Sequence, residues 1–212
     1  LVVIDDDIPA EIAALFGCAV LTGVGAVFNS AVVRPGESVA VWGLGGVGLA
    51  ALLGAVAAGA EPVIAIDPVP EKRALALELG ARAAVAPEDA AQAFAKHGAP
   101  RVAIESVGSG KVLAEAYRTA ARGGRIVTVG LPNPADPFTI PAVSLVAEAK
   151  TIIGSYMGSA VPARDIPRYI ALWRAGRLPV ERLLSGVRPM AEINDALDAL
   201  ASGHAIRQIL IP

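Results

Sequence analysis

The most informative part of this chain reads Val39-Ala40-Val41-Trp42-Gly43-Leu44-Gly45-Gly46-Val47-Gly48. The first four residues are an apolar run typical of a buried strand, and the last six follow the pattern G-x-G-x-x-G. In this pattern the first glycine permits a tight turn, the second lets the backbone approach a pyrophosphate, and the third allows close packing. Free N–H groups at the start of the next helix attract the negative charge. The residues therefore predict a strand, a phosphate-binding turn and a helix.

The next apolar run, residues 62–67, ends in an acidic side chain that supports this interpretation. Asp67 lies nineteen positions after Gly48, where a carboxylate can accept hydrogen bonds from the adenosine ribose. Because it also repels the 2′-phosphate of NADP, the sequence predicts NAD as the cofactor. Lys72 is close enough in sequence to reach the ribose edge. The alternative is a glycine-rich bend and an aspartate that caps the following turn.

Further along, apolar runs alternate with helical segments. Strands are predicted at residues 39–42, 62–67, 81–86, 101–107, 125–130 and 151–156. The helices between them are each followed by a glycine: Gly59, Gly80, Gly98 and Gly123. This alternation predicts an α/β fold, namely a Rossmann-type, doubly wound parallel sheet of six strands with helices on both faces.

The segments that flank this core differ in kind. Helices are predicted at residues 8–15, 165–175 and 192–201, a linker through Pro179 and Pro189, and a last strand at residues 205–211. These pieces need another surface to pack on. The predicted organisation is a remnant leading from another domain (1–22), the dinucleotide-binding domain (23–160) and a returning segment (161–212).

Composition excludes several classes of protein. Of 212 residues, 54% are apolar and 18% are charged, which excludes disorder. Eighteen basic and twenty acidic residues give a net charge of −2, so a nucleic-acid partner is not expected. One cysteine forms no intrachain disulfide and fits a reducing compartment, so we expect a cytoplasmic protein.

Two features bear on membranes and on the chain start. The uncharged residues 38–60 have the length of a membrane span, but the glycines in their middle favour a buried strand, a turn and a buried helix, so no membrane contact is expected. The chain begins Leu1-Val2-Val3-Ile4 without methionine and continues with an acidic triplet, which is neither a usual start nor a secretory signal. We expect it to be part of a longer protein.

Two other nucleotide-dependent classes are disfavoured by single residues. A methyltransferase needs an acidic residue beside the glycine motif, where Trp42 stands. A short-chain dehydrogenase needs a Tyr-x-x-x-Lys pair, and none of Tyr117, Tyr156 and Tyr169 has a lysine four positions later.

Five segments of the chain resemble one known family. They are residues 17–26 (GCAVLTGVGA), 33–48 (VRPGESVAVWGLGGVG), 105–108 (ESVG), 123–131 (GGRIVTVGL) and 206–210 (IRQIL). Together they resemble the zinc-dependent alcohol dehydrogenases of the medium-chain dehydrogenase/reductase superfamily. The likeness extends over essentially the whole chain but covers only the family's second part, so flanking pieces of an incomplete catalytic domain are expected beside the sheet.

The resemblance assigns roles by position. Cys18 matches a ligand of the catalytic zinc, and Thr22, the one candidate catalytic residue, matches a position lining the nicotinamide. Val47, Val107 and Val129 would form apolar walls at the nicotinamide end. The backbone at Gly130, Leu131, Tyr156 and Met157 to Gly158 would bind the carboxamide, and Arg207 would contact the pyrophosphate. Taken alone, Cys18 would be a buried small hydrophobe, the valines strand core, and Arg207 a surface ion.

The resemblance also implies an activity and its limits. It implies hydride transfer between an alcohol or aldehyde and NAD, with zinc polarising the alcohol oxygen. The other zinc ligands would come from an N-terminal domain, and His97 and His204, both expected at the surface, do not replace them. The chain alone is therefore expected to bind NAD, to hold little zinc and to be inactive. Residues 150–155 are expected to pair two copies into a homodimer.

Two alternatives stay open beside this interpretation. One is a non-catalytic dinucleotide-binding module with the same fold. The other is a zinc-free reductase of the same superfamily, which Cys18 within the zinc-type motif disfavours.

Overall fold

The computed structural model describes residues 1–203 and 205–212. His204, expected at the surface, lies outside the described residues. Within them six strands form one parallel sheet: β1 Val39–Trp42, β2 Val63–Ile66, β3 Ala83–Val85, β4 Val102–Glu105, β5 Arg125–Thr128 and β6 Thr151–Gly154. The strand order is β3-β2-β1-β4-β5-β6, so the winding reverses between β1 and β4. The doubly wound α/β fold predicted from the sequence is confirmed.

Most of the helices lie within a few residues of the predicted ones, although the helices at residues 19–25 and 142–147 were not predicted. They are α1 Ala10–Ala13, α2 Ala19–Gly25, α3 Gly46–Ala57, α4 Pro70–Glu78, α5 Ala90–His97, α6 Gly110–Thr119, α7 Ala142–Ala147, α8 Pro162–Arg174 and α9 Ile193–Ala201. A π-helical turn, Ala26–Ala31, extends α2. The predicted division after residue 22 falls inside α2, and the three-part organisation stays a prediction.

One expectation about the returning segment is wrong. The residues around Pro189 were expected to be a linker, but they include strand β7, Leu184–Pro189, which pairs in parallel with β8, Arg207–Ile211. The burial of β7 alternates residue by residue, as in a strand with one covered face. Pro189 is tolerated because it is the last residue of β7, in a sheet of only two strands.

The core explains the apolar stretch at residues 38–60. The residues of β1, β2 and β4 are all buried, and their side chains enter separate apolar clusters on the two faces of the sheet. Helix α3 lies between the sheet and α2, so it is apolar on nearly every side. At Gly23, a Cβ atom would lie 2.6 Å from the backbone nitrogen of Ala51, so the two helices cross at very short distance.

Within residues 1–203 and 205–212, no single helix is both long and apolar enough to cross a membrane. Residues 10–17 and 19–31 reach that length and hydropathy only as a pair, and the pair is bent by 51°.

Candidate functional site

The glycine-rich turn lies between the end of β1 and the start of α3, where the strand order reverses. Gly43 has φ +88°, a conformation that favours glycine. At Gly48 a Cβ atom would overlap the carbonyl oxygen of Gly43 and would lie 2.7 Å from Oγ of Ser106. The third glycine therefore lets the helix start pack onto the turn itself.

The middle of this turn faces open space. Around the position of a Cβ on Gly45, the described part of the chain has no heavy atom within 4 Å. No described side chain caps the first turn of α3 either. The N–H groups at a helix start carry partial positive charge, and an anion can satisfy them. The turn has the shape and polarity of a diphosphate-binding site.

Arg207, on β8, brings a full positive charge to the same turn. A Cβ on Gly46 would lie 2.8 Å from Cζ of the Arg207 guanidinium, so the arginine side chain rests directly on the glycine. Its Nε is buried and has no hydrogen-bond partner among the described residues. A buried donor without a partner is costly, and a bound diphosphate beside it would provide the missing acceptor. These residues fit a dinucleotide.

Asp67 connects the turn to the end of β2. Its side chain is only 6% exposed, and one carboxylate oxygen accepts a hydrogen bond from the Leu44 N–H at 2.7 Å. The other oxygen accepts one from the Val69 N–H at 2.8 Å. Leu44 is fully buried, and its N–H donates to Asp67. This hydrogen bond connects the glycine turn to the end of β2. Arg73 donates to the carbonyl oxygens of Asp67 and Pro68.

A cavity of about 570 Å³ opens beside Asp67. Lys72 and Lys111 bring positive charge to its wall. Val107 was expected at the nicotinamide end, but its side chain lies against Gly43 and lines the cavity that contains Asp67. We therefore correct its position to the Asp67 end of the site. The remaining wall is mostly apolar and includes Trp42, Ile66, Val69 and Val112.

Glu105 is a site-forming residue that the sequence analysis did not single out. It ends β4, is 1% exposed, and accepts hydrogen bonds from the N–H groups of Val107 at 2.7 Å and Gly108 at 2.6 Å. Its second oxygen accepts one from Oγ1 of Thr128 at 2.7 Å. Glu105 thus fixes the loops after β4 and β5 relative to each other. The available signal was an acidic residue at the end of an otherwise apolar strand.

The residues expected around the nicotinamide lie at the other side of the turn. Val47, Val129 and Gly130 are half-buried, while Leu131, Tyr156 and Met157 are exposed. Gly130 packs on the loop after β4, since its Cβ position would lie 3.0 Å from the carbonyl carbon of Val107.

Thr22 joins this group through the turn at Gly158. Thr22 is buried within α2, and its carbonyl oxygen would lie 2.7 Å from a Cβ on Gly158. The structure therefore brings Thr22 and the Tyr156–Ser159 turn together, and their roles at the nicotinamide stay a prediction.

Cys18 lies just before α2 and is exposed, so it is not the buried hydrophobe that a lone cysteine would usually be. Its carbonyl oxygen accepts a hydrogen bond from the Thr22 N–H at 2.8 Å. Among residues 1–203 and 205–212, no group of three or more His, Cys, Asp or Glu side chains could hold a metal ion. His97 ends α5 and is half-buried. The described residues by themselves do not fit a zinc site.

Comparison with known proteins agrees with this geometry. Residues 46–174 match the family model described as zinc-binding dehydrogenase. The chain is 40% identical over 213 residues to a geraniol dehydrogenase of Castellaniella defragrans, covering 98% of this chain and 57% of the relative. It is 36% identical over 219 residues to an NDMA-dependent alcohol dehydrogenase of Amycolatopsis methanolica, covering all of this chain and 59% of the relative.

Solved structures show the same likeness. The crystal structure of an alcohol dehydrogenase zinc-binding domain protein from Burkholderia ambifaria has a TM-score of 0.95 at 36% identity, covering all of this chain and 58% of that one. Benzyl alcohol dehydrogenase from Acinetobacter calcoaceticus has a TM-score of 0.94 at 32% identity, covering 99% and 59%. This chain thus spans somewhat more than half the length of these relatives. The family predicted from the sequence motifs is confirmed: the chain belongs to the zinc-binding dehydrogenase family.

Proposed function

We propose that this chain forms the NAD-binding part of a zinc-dependent alcohol dehydrogenase, which transfers a hydride between an alcohol and NAD. One observation carries the proposal: the buried Nε of Arg207, which has no hydrogen-bond partner within residues 1–203 and 205–212, rests on the open glycine turn to which Asp67 is hydrogen-bonded. A buried guanidinium N–H is stabilised by an anionic acceptor, and each Asp67 oxygen has a further lone pair that can accept a hydrogen bond from a hydroxyl. A dinucleotide supplies both at the required separation of a ribose and a diphosphate.

Different residues of the described chain bind different parts of the dinucleotide in this proposal. The first turn of α3 and Arg207 bind the diphosphate, and Asp67 and Lys72 bind the adenosine ribose. The adenine enters the cavity beside Val107 and Val69. The nicotinamide lies toward Val47, Thr22 and Val129, with its carboxamide on the backbone of Gly130, Leu131 and the Tyr156–Ser159 turn. When bound, NAD supplies the hydride acceptor.

Preference for NAD over NADP follows from how Asp67 is held. Two backbone N–H groups fix its carboxylate at 2.7 and 2.8 Å, so the charge cannot turn away from a 2′-phosphate. Lys72 and Lys111 also line the cavity, but their long side chains are free to leave it. We therefore expect the fixed negative charge to dominate the selectivity.

The remaining parts of the proposal concern the whole protein. Two similar proteins are named for geraniol and benzyl alcohol, which suggests a small alcohol or aldehyde substrate here as well. Cys18 is proposed as one zinc ligand, whose companions are not among the described residues. We also propose a homodimer formed through β6 and a cytoplasmic location, the latter from the single cysteine.

The test is a calorimetric titration of the 212-residue chain with NAD, NADP and ADP-ribose. We expect NAD to bind with a single site per chain and at least about tenfold more tightly than NADP, which corresponds to about 1.4 kcal/mol. Absence of binding by both NAD and ADP-ribose would refute the proposal.

A further inference from the structure

The turn at residues 156–159 has an unusual backbone. Met157, Gly158 and Ser159 have φ values of 49°, 69° and 47°, so three consecutive residues are in the left-handed region. Glycine adopts this conformation freely, whereas Met157 and Ser159 are strained in it because of their Cβ atoms. Such a turn persists only if its surroundings hold it in place.

The π-helical turn Ala26–Ala31 provides that hold through its side chains. Nδ2 of Asn29 donates to the carbonyl oxygen of Gly158 at 3.3 Å and to Oδ2 of Asp165 at 3.2 Å. Ser30 Oγ lies 2.7 Å from Ser155 Oγ and donates to Ser159 Oγ at 3.1 Å. The two neighbouring residues thus bind the turn at its start, its middle and its end.

Asp165 anchors the other side of Asn29. It is 1% exposed and accepts a hydrogen bond from the Val161 N–H at 2.8 Å, just after the turn. Arg164 donates to both of its carboxylate oxygens at 2.7 and 2.8 Å, and this ion pair lowers the pKa of Asp165. Asp165 therefore stays ionised and orients the Asn29 amide toward Gly158.

The same helical unit carries Thr22. Helix α2 contains Thr22 and continues directly into the π-helical turn, and Gly25 of α2 packs closely on Gly158. The contacts of Asn29 with Gly158 and Asp165 therefore add to this packing in holding the 156–159 turn beside Thr22. Neither of these residues lines the Asp67 cavity.

We propose that Asn29 and Asp165 are positioning residues for the turn at residues 156–159. They hold this strained turn against Thr22 and thereby set the affinity for the nicotinamide half of the dinucleotide. The inference rests on the proposed function, because it takes the turn as the site of the nicotinamide carboxamide. Loss of either residue lets the turn relax toward ordinary backbone conformations, and its backbone groups then leave the positions that the carboxamide needs.

The experiment compares NAD with ADP-ribose, which has the same adenosine and diphosphate but no nicotinamide. We expect Asn29→Ala and Asp165→Asn to weaken NAD binding by about five- to tenfold, as for the loss of one well-placed contact, and to change ADP-ribose binding by less than about twofold. General destabilisation would not separate the two ligands in this way. Asn29→Ala, at a half-buried site, decides the matter if Asp165→Asn does not fold.

Glu37→Gln is the matched control. Glu37 is a partly buried carboxylate paired with Arg125 at 2.6 Å, at the start of β5 and far from the turn along that strand. Its substitution removes an ion pair of similar kind and should leave both affinities unchanged.

Each other outcome has a defined meaning. Equal loss of NAD and ADP-ribose affinity in the variants, or no loss of either, would overturn the positioning role. An unmodified chain that binds ADP-ribose as tightly as NAD would overturn it as well, while leaving dinucleotide binding intact. An unmodified chain that binds neither ligand would instead overturn the proposed function, and the inference with it.

Discussion

The carboxylate of Asp67 accepts a hydrogen bond from the backbone N–H of Leu44 at 2.7 Å. The side chain proposed to bind the ribose therefore also holds the loop proposed to bind the diphosphate. We therefore expect binding of the two groups to be coupled through this hydrogen bond. A substitution that tests the negative charge of Asp67 therefore has to keep an oxygen atom that accepts the hydrogen bond from the Leu44 N–H.

Asp67→Asn removes the negative charge; its single amide oxygen can still accept the hydrogen bond from the Leu44 N–H, while the acceptor for the Val69 N–H is lost. We expect the preference for NAD over NADP to fall by about tenfold, because the repulsion of the 2′-phosphate is removed. Titration calorimetry with both nucleotides measures the ratio. Glu88→Gln, an exposed acid that does not line the cavity, is the control and should leave the ratio unchanged. An unmodified chain that binds both nucleotides equally would show that Asp67 has been misassigned.

Arg207→Gln tests the diphosphate contact. We expect NAD and ADP-ribose to lose affinity together, by about tenfold, because both contain the diphosphate that the guanidinium is proposed to contact. Added salt should weaken binding less in the variant than in the unmodified chain. The control is Arg188→Gln on the neighbouring strand β7, where Arg188 pairs with Glu192. Unchanged affinities in Arg207→Gln would exclude this arginine from the site.

The metal content of the 212-residue chain is a separate prediction. Cys18 has no companions for a metal site among residues 1–203 and 205–212, and a single thiolate binds zinc far more weakly than a preorganised set of ligands. We expect well under one zinc per chain after dialysis and no NADH formation with several alcohols. Cys18→Ser should leave NAD binding unchanged. Stoichiometric zinc together with turnover would contradict the prediction.

The edge strand β6 carries the prediction of a homodimer. β6 pairs only with β5 in the described sheet, so its outer N–H and C=O groups are available to a second copy. A Cβ on Gly154 would meet no described atom within 4 Å, so a glutamate at this position can be accommodated in a single copy of the chain. In a dimer paired through β6, Gly154→Glu would place the two negative charges close to each other. We expect light scattering at micromolar concentration to give a dimeric mass for the unmodified chain and a monomeric mass for the variant.

Gly186→Glu makes the same change on β7, where a Cβ is equally free of described neighbours. This control should stay dimeric. A monomeric unmodified chain would refute pairing through β6.

Acid stability should depend on Asp165. Its pKa lies below the ordinary value of 3.8 because of the hydrogen bond from Arg164. A carboxyl group with a lowered folded-state pKa stabilises the protein fully above its unfolded-state pKa, and this contribution is lost as the pH falls through the folded-state pKa.

We therefore expect the difference in the free energy of unfolding between the unmodified chain and Asp165→Asn to shrink as the pH falls from 6 to about 2.5. Urea unfolding followed by circular dichroism measures it. A difference that stays constant over this range would show that the ionised form of Asp165 contributes nothing to the free energy of unfolding.

Local sequence patterns were sufficient for the fold and for the central part of the candidate site. The apolar runs and the glycines after each helix predicted the parallel sheet, because a strand covered on both faces has to be apolar throughout. The G-x-G-x-x-G turn and Asp67 were found by spacing, because chain geometry alone brings the ends of β1 and β2 side by side.

The contacts between distant parts of the chain were decided only by tertiary structure. Three features depend on which strand ends meet, and no local pattern records that. They are the Nε of Arg207 beside Gly46, which has no partner in the described part of the chain, the loops that Glu105 joins, and the position of Val107. The hold of Asn29 and Asp165 on the Gly158 turn joins residues more than 120 positions apart. Sequence fixes local conformation through short-range sterics and burial, whereas side-chain partners are chosen by packing once the elements have come together.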